Sequence, residues 1–369
     1  MIYADNAATT KLDEDAFEAI RSFLVESYGN PSQPYKFGRT AQKALKTARQ
    51  TIADCIGADP EEIFFTSCGT ESDNWAIKMA AGLNGGIITS AIEHHAVLNS
   101  CEALKNRGHE VIYIPVLETG EVDPECMKSS ITENTKLISV MFANNEIGTI
   151  QPIKKLVEIA HEYGCLFHTD AVQAVGHVKL NVHEIDVDML SASAHKFNGP
   201  KGIGFLYIKK GVQMAPFMDG GGQEARRRAG TENVAFIVAM SMALKGNCKQ
   251  ITENDNYLKK LETVLLEKLD EEGIDYIRNG SQNRIPGNIS LSFKDCEGEM
   301  ILHRMDLMGI YISTGSACDS ANTQVSHVIK AIKVPNEYAE GTVRISFGKN
   351  NTEEEVIALA NALISIVKL

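Results

Sequence analysis

The stretch KLISVMFANNEIGTIQPIKKLVEIAHEYGCLFHTD, residues 136–170, decides the fold class. Lys136 to Phe142 is an apolar-rich run of strand length that stops at Ala143-Asn144-Asn145, where turn residues take over. Ile153, Leu156, Val157 and Ala160 then recur at helical spacing until Gly164 ends the helix. A second apolar strand, Cys165 to Thr169, follows. Strand, helix and strand of these lengths make a parallel crossover. It brings Asn144 and Asp170 to the carboxyl ends of neighbouring or nearby strands, where open α/β sheets bind ligands.

Working outward, short apolar runs alternate with helix-period segments, with no internal repeat and no low-complexity tract. This predicts an α/β fold with a mainly parallel sheet covered by helices on both faces. Beyond Asn233 the strand signal fades, and Leu258, Leu261, Leu265 and Leu269 mark one face of a long helix that stops before Gly273. A boundary near residue 245 is expected, giving a large domain of residues 12–245 and a smaller α+β domain built from 1–11 and 246–369. Thr352 with Glu355 three residues later forms a capping box for a last helix whose inner face is Val356, Leu359, Leu363 and Ile366.

With 369 residues, 44% of them hydrophobic, the chain can bury a substantial core. Its formal charge of -12 is spread along the sequence, and no Lys/Arg block provides a nucleic-acid footprint. Met1 to Thr10 lacks the pattern of a leader, and no apolar run reaches spanning length, so a cytoplasmic protein is expected. Cysteines at 55, 68, 101, 126, 165, 248, 296 and 318 contain no C-x-x-C pair, which fits neither a zinc ribbon nor a disulfide framework.

Three segments carry chemistry. Phe64 to Ser72 reads as strand, small-residue turn and helix start, a place where free N–H groups and the helix dipole favour an anion, although any Gly/Thr turn of this kind looks similar. Ser191 to Pro200 sets Lys196 among small and hydroxyl residues, just before a Gly/Pro loop. Lys196 is either a solvated surface lysine or a Schiff-base lysine, which needs partial burial to lose its proton. Ser313 to Asn322 is polar and glycine-containing, a composition that exposes Cys318 on a loop. Gly202-x-Gly204 begins a dinucleotide fingerprint, but Tyr207 stands at the third glycine position. His94-His95 has no third ligand at a metal-binding spacing, and no metal is expected.

In order along the chain, Tyr3–Thr10, Thr66–Asn74, Asn144–Gly148, His168–Gly176, Ser193–Gly204, Gly220–Glu224 with Arg228–Asn233, and Ser313–Cys318 resemble the group I cysteine desulfurases of the NifS/IscS type, relatives of the class V aminotransferases. The resemblance covers essentially the whole chain. It implies a fold type I enzyme dependent on pyridoxal 5'-phosphate (PLP), a homodimer that converts L-cysteine to L-alanine and passes sulfur to an acceptor protein, either an iron–sulfur scaffold or a thio-modification enzyme.

Carried over residue by residue, Lys196 resembles the lysine that holds the cofactor, and Asp170 the carboxylate that pairs with its pyridine nitrogen. His94 resembles the histidine stacked on the ring, which also moves protons, and Gln173 the donor to the phenolic oxygen. Gly69, Thr70, Ser193 and His195 resemble the phosphate cup, joined by Thr231 from the partner subunit. Arg344 resembles the arginine that grips the substrate carboxylate, helped by Asn144, and Cys318 the thiol that accepts sulfur as a persulfide. Taken by themselves, Asp170 could be a helix cap, Arg344 a surface ion pair, and Gly230-Thr231 a cap for the helix near Asn233. Three departures stand out: Asn30-Pro31-Ser32-Gln33-Pro34-Tyr35 lacks the second Ser and the His usual in that motif, Gln324-Val325-Ser326-His327 stands where Glu-Pro-Ser-His is common, and Cys68 replaces a more usual Gly. Rival readings are another class V activity such as selenocysteine lyase or an aminotransferase, which would not need Cys318, and a non-catalytic sulfur-carrier partner.

Overall fold

The computed structural model describes residues 1–83, 85–315 and 325–368. Cys318, expected to be the sulfur acceptor, lies outside the described residues. Among them, twelve strands make three sheets: β1 (Ile2–Tyr3), β2 (Ile63–Thr66), β3 (Gly86–Ser90), β4 (Val111–Ile114), β5 (Thr135–Ser139), β6 (Leu166–Asp170), β7 (Met189–Ser193), β8 (Gly204–Ile208), β9 (Tyr276–Arg278), β10 (Asn288–Phe293), β11 (Ile310–Tyr311) and β12 (Thr342–Ser346). The main sheet has the order β2-β8-β7-β6-β5-β3-β4, and β8 alone runs against its neighbours.

Period-two alternation explains why this sheet is buried on both sides. Phe65, Ile88, Ile138, Leu190 and Phe205 face one core, while Phe64, Ile87, Leu137, Met189 and Leu206, their chain neighbours, face another. The crossover read from residues 136–170 is present as β5, the helix Ile153–Glu162 and β6, with β5 and β6 adjacent and parallel. β5 ends at Ser139, earlier than the apolar run, because the Met141 N–H leaves the sheet and donates to Glu93 Oε1 at 2.9 Å. Gly164 stops the helix with φ 70°, as a left-handed cap requires.

A separate core forms around Leu258, Leu261, Leu265 and Leu269, which pack with β10, β12 and the helix Glu353–Val367. Each fully buried leucine contributes about 1.5–3 kcal/mol, so this stripe fixes the far half of the helix that carries it. That helix, Val234–Glu271, passes unbroken through residue 245 and joins both cores. The Thr352/Glu355 capping box is formed at the start of the last helix. Among the described residues no helix is long and apolar enough to cross a membrane.

Candidate active site

The strands other than β8 point their carboxyl ends at one edge of the main sheet, and a cleft of about 280 Å³ opens there. Gly69, Thr70, His94, Asp170, Gln173, Ser193, His195, Lys196 and Arg344, spread over more than 270 positions of sequence, line it together. Asn144 and Thr231 are not among its lining residues. The Asn144 side chain is spent on its own turn, with Oδ1 accepting from the Glu146 and Ile147 N–H groups and Nδ2 donating to Ile92 O. Its neighbour Asn145 faces the cleft instead.

Lys196 follows β7 in a short 3-10 turn that is held from three directions. Thr10 Oγ1 donates to the His195 carbonyl at 2.8 Å, His177 Nε2 to the Lys196 carbonyl at 2.9 Å, and Asn247 Nδ2 to the Phe197 carbonyl at 2.6 Å. Three consecutive carbonyls are thus fixed by the N-terminal segment, the loop after β6 and the long helix. Lys196 Nζ donates to Ala7 O at 2.6 Å and Ala8 O at 3.0 Å, and Gln173 Nε2 also donates to Ala7 O. The half-buried position excludes a solvated surface lysine.

Asp170 is the last residue of β6 and 5% exposed, with Oδ1 accepting from the Val172 N–H at 2.9 Å. Burial raises its pKa, an effect that His94, the Val172 N–H and Lys196 oppose. It caps no helix of the described residues. His94 does cap one: its Nδ1 accepts from the Ala96 N–H at 3.1 Å, and burial lowers its pKa. The ring therefore sits in the cleft neutral, with Nδ1 as acceptor and the proton on Nε2.

The turn after β2 leads into the helix Gly69–Gly82 as the sequence predicts. Glu71 Oε2 accepts from the Ser67 N–H, and Gly69 and Thr70, the first two residues of the helix, line the cleft. Ser193 Oγ is buried beside Gly69 with no hydrogen-bond partner among the described residues. A Cβ on Gly204, at the reversed strand's start, would stand 2.5 Å from Ala192 O and 3.0 Å from the Cys68 carbonyl carbon, so only glycine lets this turn close up.

Arg344 is buried in β12 rather than forming a surface ion pair. Its Nη2 meets Asp5 Oδ1 at 2.7 Å, Nη1 donates to Asn145 O at 3.1 Å, and Nε has no partner among the described residues. Arg228 clamps the following loop to the helix Gly69–Gly82 by two bonds to Glu71. Thr231 is exposed and is not the cap of the long helix. That role falls to Asn233, whose side chain accepts from the Phe236 N–H.

Sequence reasoning missed two buried acids that line the cleft. Asp73 and Glu93 are buried, and both carboxyls are pushed up in pKa by burial, with Asp170 adding to the effect. His168 Nε2 lies 3.7 Å from Asp73 Oδ1, yet burial lowers its pKa to about 3, so the contact joins two neutral groups and is no ion pair. Glu93 reaches about 8 from an ordinary 4.5. Its folded pKa lies above the unfolded one, so stability is greatest below about pH 4.5, falls as pH rises, and levels off above about pH 8. Glu93→Gln keeps the acceptor and abolishes this loss. Its stability relative to the unsubstituted chain, measured by denaturant unfolding, should improve by about 2 kcal/mol between about pH 6 and pH 8. An equal difference at both pH values would rule out a neutral Glu93.

The profile of the aminotransferase class-V family matches residues 2–359. The chain belongs to the class-V aminotransferase family. Among curated members it is 46% identical over 371 residues to the cysteine desulfurase IscS of Methanosarcina thermophila, covering all of this chain and 92% of that one. A solved NifS-like protein superposes with a TM-score of 0.94 at 38% identity, over 100% of this chain and 99% of the other. SspA, solved in complex with cysteine, gives 0.85 at 34% identity over 94% and 99%. The class V assignment and the fold type I architecture expected from the sequence are borne out.

Proposed function

We propose that this class V member is a PLP-dependent cysteine desulfurase that converts L-cysteine to L-alanine and retains the sulfur on Cys318. The observation that carries the reading is the convergence of Lys196, Asp170 and Arg344 on one cleft beside an anion cradle. Cysteine desulfurases match the chain over its full length, which supports the same activity.

The residues present fit PLP. The unpartnered Ser193 hydroxyl and the N-terminus of the helix Gly69–Gly82 suit a phosphate, with Thr70 and His195 alongside. Asp170, raised in pKa by burial, would pair with the cofactor's pyridine nitrogen and hold a proton on it. Neutral His94 suits a ring-stacking role, and Gln173 has a second amide N–H for the phenolic oxygen. When bound, the cofactor supplies an electron sink for the pair released at the substrate Cα.

Lys196 Nζ takes the proton from that carbon, the only lysine amine lining the cleft among the described residues. Arg344 holds the substrate carboxylate, and Asn144, through the turn it organises, sets the Asn145 carbonyl on which Arg344 leans. The Cys318 thiolate then attacks the substrate sulfur: an S–S bond forms, the C–S bond breaks, and the carbon keeps the electron pair and is protonated to alanine. The product is a Cys318 persulfide, passed to a scaffold or thio-modification protein in the cytoplasm.

Cys318→Ala tests this. The variant should retain the cofactor's absorbance and still bind cysteine, while sulfide release falls to background. Undiminished release would overturn the assignment and direct attention to Cys68, which lines the same cleft.

The proposed unit is a homodimer of chains with a large domain of 12–245 and a small one of 1–11 and 246–369, a division supported by the separate cores on the two halves of the long helix. Thr231 is exposed yet belongs to a loop clamped at the anion cradle by Arg228 and Glu71, which supports a role at the partner subunit's phosphate. Co-expressed Lys196→Ala and Thr231→Ala chains should then form heterodimers with one doubly defective site and one intact site. Weakened PLP binding at the Lys196-containing site would refute sharing.

A further inference from the structure

Away from the cleft, two cysteines meet where the helix Lys36–Ile56 crosses the long helix Val234–Glu271. Cys55 stands one residue before the end of the first helix, and Cys248 lies in the half of the second that packs on the main core. Cys248 Sγ donates to the Cys55 carbonyl oxygen at 3.9 Å, which sets its sulfur directly against the residue that carries the other thiol. Both side chains pack against the core yet are only partly buried, so a small reagent can reach them. Among the described cysteines no other pair is in hydrogen-bonding contact. Cys101 and Cys165 are buried, and Cys68 belongs to the cleft.

Two charged groups bear on the pair, Asp54 on the first helix and Lys245 one turn before Cys248. The interaction between the two thiols pushes the Cys55 thiol above its ordinary pKa and the Cys248 thiol below it. One sulfur is thereby prepared to attack and the other to resolve, the division of labour that a dithiol needs.

We propose that Cys55 and Cys248 form a reversible thiol–disulfide site, oxidised by low-molecular-weight disulfides to a cross-link between the two helices. The Cys248 thiolate attacks one sulfur of the disulfide RSSR, forming a mixed disulfide and expelling RS⁻, which takes up a proton. Cys55 gives up its proton, and its sulfur attacks Cys248 Sγ. The bond between Cys248 and R–S breaks, and the second RSH leaves. The dithiol loses two electrons and two protons, and RSSR gains both to become two RSH. The cross-link joins the helix Lys36–Ile56, part of the main core, to the helix that carries both cores. This site is independent of the sulfur-transfer chemistry at Cys318.

The test uses the full chain carrying Cys318→Ala, so that failure here and failure of the proposed activity are separable. It is incubated with oxidised glutathione, capped with N-ethylmaleimide, and digested for mass spectrometry. The expected result is one linked peptide pair containing Cys55 and Cys248, the loss of two free thiols per chain, and full reversal by dithiothreitol. Cys55→Ser should leave Cys248 holding a single glutathione adduct, because the resolving sulfur is gone. If glutathione is found separately on both cysteines, or both are capped by N-ethylmaleimide, the proposal is overturned.

Discussion

Replacing Lys196 by Ala is expected to end turnover while the chain stays folded. On its proposed role, loss of the Lys196 amine should alone lower the rate by about 10²–10⁴-fold, and the same substitution should remove the proposed point of cofactor attachment. Stability should change far less. The ammonium leaves behind the Ala7 and Ala8 carbonyls, one of which Gln173 still satisfies, so about 1–3 kcal/mol is the expected loss. The Lys196 backbone remains fixed by Thr10, His177 and Asn247. Borohydride treatment of the unsubstituted enzyme followed by peptide mapping should find the cofactor on Lys196. Finding it on a different lysine would remove Lys196 from its assigned role.

Arg344→Ala should damage both folding and substrate binding, and the two effects can be measured apart. The guanidinium is 2% exposed and its partner Asp5 carboxylate 18%, so the substitution strands a largely buried charge and is expected to cost about 3 kcal/mol in denaturant unfolding. Loss of a charge-assisted bond to the substrate carboxylate should also raise KM for cysteine by roughly ten- to a hundredfold. Arg344→Lys keeps a positive charge near Asp5 but not the planar fork, so it should recover most of the stability and little of the affinity. A folded Arg344→Ala variant with unchanged KM would refute a substrate contact.

The candidate site was legible wherever its signal is local. The turn between β2 and the helix Gly69–Gly82 announces itself by small residues after an apolar strand, and Asp170 by its position at the end of a strand. Glu93 was missed although it directly precedes His94, because nothing in a sequence distinguishes a buried acid from a solvated one. His327 and Glu146 line the cleft from segments whose pattern was recognisable, but a sequence does not say which side chain of such a segment faces a cavity. Asn144 fits the family pattern, but its amide is engaged by the backbone of its own turn, and a motif alone could not reveal that.

By itself, then, the sequence determined the parallel crossover of residues 136–170, the capped last helix, the leucine stripe of the long helix and the family. Periodicity, turn residues and caps act between residues a few positions apart, and their effect can be read in order along the chain. Only the tertiary structure decided that Arg344 meets Asp5 across 339 positions, that Cys248 meets the Cys55 carbonyl, and that burial pushes the Asp73 and Glu93 carboxyls up in pKa beside Asp170. Those outcomes depend on which groups packing brings within a few ångströms and how completely it excludes water from them, quantities that exist only once the two cores have closed around the sheet and the long helix.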